Sequence, residues 1–147
     1  MVKKDDPAAG VYTAIARLSL ESRLSGTAFS LPKDLPAPLR MPGAAFVTLK
    51  KEGALRGCIG TISPTQKTLA EEIAANAISA GLNDYRFPPV SPDEMELISY
   101  SVDVLTTPEK VENIAELDPR RYGVIVRRGG RTGLLLPALE GIDTVAE

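Results

Sequence analysis

The chain has 147 residues, 44% of them hydrophobic and 24% charged, with a net charge of -2 at neutral pH. That length suffices for one well-buried core, and the near-neutral balance gives no general electrostatic reason to bind nucleic acid or an acidic membrane. There is no histidine and only one cysteine, Cys58, which excludes Ser-His-Asp and Cys-His catalysis, His-ligated or thiolate zinc, and an internal disulfide.

Asp6-Pro7 reads as an N-cap with proline in the first helical turn. Val11, Ala14, Ile15 and Leu18 then recur at helical spacing, predicting a helix from about Ala8 to Leu24 that stops at Gly26. The segment "SLPKDLPAPLRMPG" has four prolines between Leu31 and Gly43 and is expected to run extended over the surface. "AAFVTLKKEGALRGCIGTI" reads as a β-hairpin turning at Glu52-Gly53. Strict alternation in its return strand sets Leu55, Gly57 and Ile59 on one face, with Arg56, Cys58 and Gly60 on the other.

"SPTQ" has the form of a capping box, in which Ser63 caps, Pro64 opens the helix and Gln66 reaches back. Leu69, Ile73, Ala77 and Ala80 form the apolar stripe of that helix, which ends near Gly81. "SPDE" at Ser91 to Glu94 is a second capping box opening a short helix, and "LISYSVDVLT" alternates as a half-buried strand. "YGVIVRRGGRTGLLLP" is a second hairpin turning at Gly129-Gly130, and in "LEGIDTVAE" Asp143 caps a helix that is only beginning. Strand pairs separated by helices indicate an α+β domain with a largely antiparallel sheet and packed helices. The expected extent is a single domain over residues 8–147. Neither a signal peptide nor a membrane span is apparent, and the single thiol fits a cytoplasmic location.

Two readings of Cys58 stand side by side. As a lone cysteine in a strand it is a small apolar side chain filling a core. As a thiol sharing a face with Arg56 it is a reactive nucleophile beside a cation, the only cysteine-based chemistry open to a chain without histidine. Gly57, Gly60, Thr61 and the amides around Thr65 offer an anion-binding corner with Arg56 as clamp, although tight strand packing accounts for the glycines equally well. Asp84 and Arg86 form either a local ion pair that fixes a turn, or the mouth of a cleft in which Asp84 is the general acid or base and Arg86 binds substrate. Asp103, alternating with Ser99 and Ser101, is a weaker candidate for the same work. Arg120, Arg121, Arg127, Arg128 and Arg131 read as a solvated hairpin or as a patch for RNA, DNA or an acidic protein; without tryptophan and with few aromatics, nucleic acid is the weaker alternative.

"LRGCIG" at Leu55 to Gly60 matches the signature hexapeptide of the AMMECR family, named for the Alport syndrome, intellectual disability, midface hypoplasia and elliptocytosis chromosomal region. "DYRFPPV" at Asp84 to Val90, "SVDVLTTPE" at Ser101 to Glu109 and "YGVIVRRGGRTGLLLP" resemble its later motifs, in the same order. The resemblance implies an α+β fold of two closely associated subdomains with no established activity. It also implies Memo-like and radical-SAM proteins as partners, and names no cofactor. Asp103 stands where many relatives carry a small neutral polar residue, and relatives continue with a helix beyond this C-terminus. The functional readings that follow are a small-molecule or nucleotide-handling enzyme component with Cys58 and Asp84 as catalytic residues, a non-catalytic RNA- or protein-binding module using Arg127, Arg128 and Arg131, and a subunit of a larger complex.

Overall fold

The computed structural model describes residues 9–138 and 141–146; the Asp6-Pro7 cap lies outside them. The chain divides into two compact units at Thr106/Thr107. In the first, helix α1 (Ala9–Ser25) and helix α2 (Leu69–Leu82) pack on one face of a three-stranded antiparallel sheet made of β1 (Ala44–Lys51), β2 (Ala54–Gly60) and β3 (Ile98–Leu105). The strand order is β2-β1-β3, so β2 is an edge. Ala45, Val47 and Leu49 of β1, all fully buried, meet Ile73, Ala77 and Ala80 of α2 and Ile15, Ala16 and Leu20 of α1. The α+β class read from the sequence holds.

Local signals explain most boundaries. Gly26, at φ +68°, ends α1, and the Thr27 N–H donates to Ser22 O at 3.0 Å, closing a Schellman turn. Glu52 (φ 51°) and Gly53 (φ 83°) both take the left-handed conformation of a type I′ turn, as the hairpin reading requires. Ser91 caps the short 3-10 helix Pro92–Leu97, with its N–H and hydroxyl both donating to Glu94 Oε2. None of the described helices is long and apolar enough to cross a membrane.

Four expectations for the first unit need correction. The buried face of α1 is Tyr12, Ile15, Ala16, Ser19 and Leu20, whereas Leu18 is half exposed. Small serines hide this face from a hydrophobicity count: Ser19 is fully buried, and its hydroxyl donates to Ala16 O and Ala74 O. The proline-rich segment is anchored by a short 3-10 helix, Ala37–Arg40, whose Leu39 is fully buried. Helix α2 starts at Leu69, five residues later than "SPTQ" suggested, with Thr68 and Glu71 as its capping box. Glu72 is the reason: its carboxylate takes the N–H groups of Thr65 and Gln66, both at 2.7 Å, which curls these residues into a loop around it. Finally, β2 does not alternate strictly. Leu49 pairs with Gly57 but Lys50 pairs with Leu55, so Arg56 is the extra residue of a β-bulge, and Leu55 is turned out to 43% exposure.

The second unit carries β4 (Val124–Arg128) and β5 (Arg131–Leu135), an antiparallel hairpin turning at Gly129-Gly130 as expected. Among its described residues none is buried. Residues 141–146 form turns, with no helix starting at Asp143, whose carboxylate instead accepts a 3.1 Å bond from Arg120.

Candidate functional site

Cys58 sits in the middle of the edge strand β2, opposite Thr48, and is half-buried. Its Sγ lies 3.2 Å from Thr48 Oγ1. Cross-strand pairing extends the row to Ser101, giving thiol, hydroxyl and hydroxyl side by side across the sheet. The next row holds Gly60, Phe46 and Asp103. The core-facing residues Val47, Leu49 and Ile59 alternate with these, so both rows belong to the face turned away from α1 and α2. Burial raises the Asp103 carboxyl above its ordinary pKa.

On the outer edge of β2, Asp84 and Arg86 close on Cys58 from the loop after α2. Asp84 Oδ2 accepts the Cys58 N–H at 2.9 Å, and Arg86 Nη2 donates to the Cys58 carbonyl at 3.2 Å. The two side chains are locked together by Nε to Oδ1 at 2.9 Å and Nη2 to Oδ2 at 2.7 Å, with the Arg86 N–H adding a bond to Oδ1. The pair thereby does for Cys58 what a neighbouring strand would do, supplying one donor and one acceptor to an edge. The Arg86 guanidinium, with help from the Cys58 N–H, holds the nearly buried Asp84 carboxyl far below the usual carboxylate range. An aspartate so held keeps its charge and orients its neighbours. Arg86 itself is 44% exposed, and its Nη1 has no hydrogen-bond partner among the described residues. The segments carrying Cys58, Asp84 and Arg86 therefore do meet.

Arg56 does not join them. The bulge carries it to a separate clamp, where Nε and Nη2 grip both oxygens of Glu94 at 3.0 and 2.9 Å while Nη1 and Nη2 bond the carbonyls of Pro88 and Pro89. Lys51 adds a third contact to Glu94 at 3.0 Å. With Arg56 as the main cause, Glu94 is also held far below its ordinary pKa. Only 12% of the Arg56 side chain is exposed, leaving little of it for an outside anion.

The glycines of the motif are accounted for by close packing. A Cβ on Gly57 would collide with the Ala80 carbonyl of α2, and one on Gly60 with the Phe46 ring. The corner near Thr65 does hold an anion, but the chain's own. Glu72 is fully buried and accepts from Thr61 Oγ1 at 2.6 Å, Thr65 Oγ1 at 2.8 Å and the two amides already described. Burial alone would push this carboxyl up, and the bonds from Thr61, Thr65 and Gln66 outweigh it and lower the pKa. Glu72, Glu94 and Thr48 were missed in the sequence. Glu94 had been recognised only as a cap, and nothing local links it to Arg56.

The arginine cluster of the second unit is split by strand register. Arg128 pairs with Arg131 on one face of the hairpin and Arg127 with Thr132 on the other. Arg121 stacks on Tyr122 with 5.4 Å to the ring centroid. Among the described residues no cluster of three or more Cys, Asp or Glu is placed to hold a metal ion.

Comparison with known proteins agrees with this architecture. A Thermotoga maritima protein is 56% identical over 119 residues, covering 80% of this chain and 67% of its own. A Clostridium acetobutylicum protein is 51% identical over 139 residues, which is 92% of this chain but only 30% of that one. The crystal structure of an uncharacterized protein from Pyrococcus horikoshii superposes with a TM-score of 0.84 at 36% identity, covering 90% of this chain and 70% of that one. A family model described as AMMECR1 matches residues 13–146, and the chain belongs to the AMMECR1 family.

Proposed function

We propose that the protein acts through Cys58, as a small-molecule-handling enzyme component whose substrate meets the thiol on the helix-free face of the β2-β1-β3 sheet. The observation that carries this reading is the Asp84–Arg86 clamp on both main-chain groups of Cys58. Besides completing the hydrogen bonds of an edge strand, the clamp brings its two charged groups to the cysteine of all the β2 residues. The clamp fixes the Cys58 backbone and brings the Arg86 guanidinium, paired with Asp84, to its carbonyl; a fixed position and a nearby cation are two conditions for a thiol nucleophile. In this reading Arg86, not Arg56, is the cation, and its open Nη1 suits a substrate bearing a carboxylate or phosphate. A cytoplasmic setting belongs to the same proposal, since a reducing compartment keeps a single cysteine as thiol.

The test is the rate of iodoacetamide alkylation at neutral pH. Native Cys58 is expected to react at least as fast as the same thiol in the denatured chain, and a Cys58→Ser variant should keep its fold while losing labelling and activity. A thiol that reacts only after denaturation would sink the proposal.

A second reading is supported by the Clostridium acetobutylicum relative, in which the matched region is under a third of the chain. There the domain works beside other polypeptide, so we also propose function within an assembly. Memo-like and radical-SAM proteins are the partners that the family resemblance suggests, and co-purification is the direct check.

A further inference from the structure

We draw no further inference here: the strongest candidate, the groove of about 360 Å³ between α1 and β3 lined by Arg17, Ser99 and Tyr100, shows nothing of what would fill it, because the Arg17 guanidinium is already bonded to Glu21 and to the Ile98 carbonyl and the Tyr100 hydroxyl, without a partner among the described residues, has no surface open to the groove.

Discussion

Two arginine–carboxylate clamps act on the same short strand, and they are built for different ends. Arg56 and Glu94 form a closed clamp: nearly all guanidinium donors are used, both side chains are largely covered, and the product is a fixed path for residues 88–94. Arg86 and Asp84 form an open one, in which the carboxylate is buried, the guanidinium is half in solvent, and the group being gripped is the backbone of the only cysteine. The same ion-pair chemistry thus fixes a loop at one end of β2 and the backbone of Cys58 in its middle. What separates them is exposure of the cation.

Breaking the closed clamp should cost the most. Glu94→Ala strands Arg56 and Lys51 without their anion, and unfolding by urea is expected to show a loss of about 3–5 kcal/mol. Native Cys58 alkylation should stay within about twofold, because the pair acts on packing and not on the thiol. Asp84→Asn keeps the shape but removes the charge, with an expected loss of about 1–3 kcal/mol. Here the local readout matters more: the Cys58 amide, whose partner is Asp84, should lose protection in hydrogen exchange, whereas Glu94→Ala should leave it at the global limit.

Acid separates neither clamp from the other but tests both. A carboxylate whose folded pKa lies below its unfolded value stabilises the fold fully above that unfolded value, near 4, and the contribution drains away as pH falls toward the depressed folded value. Asp84 and Glu94 are both shifted in this direction. The contribution of these two groups should therefore be flat above about pH 5 and fall below it, with the acid limb shallower in Glu94→Gln. The smallest effect is expected from Thr48→Val, which removes the hydroxyl beside Sγ. Stability should change by less than about 1 kcal/mol, and only the alkylation rate should respond.

Much of this was legible from short-range pattern. Glu52-Gly53 announced its turn and Ser91 to Glu94 its cap, because both are settled within four residues. Thr68 to Glu71 was equally legible as "TLAE", a better capping box than "SPTQ", since a glutamate carboxylate also suits the positive end of the helix dipole and a glutamine amide does not. The bulge at Arg56 was not legible. Alternation assumes one residue per partner, and only pairing with Lys50 and Leu49 reveals the extra one. That single insertion moved Arg56 away from Cys58, and the arginine bonded to Cys58 is Arg86, 28 residues on. The approach of Asp84 and Arg86 to Cys58 depends on how α2 returns the chain to the edge of the sheet, which no local motif encodes.

The buried Glu72 also bears on the order in which the chain folds. Its partners lie only 6 to 11 residues away in sequence, so the clasp closes a short loop at small entropic cost. The loop leaving β2 cannot take its native path until the first turn of α2 delivers the carboxylate, and that turn gains its anchor only when the loop has wrapped. Strand exit and helix start are therefore tied by contacts that are all local in sequence, whereas the pairing of β1 with β3 joins segments far apart in the chain.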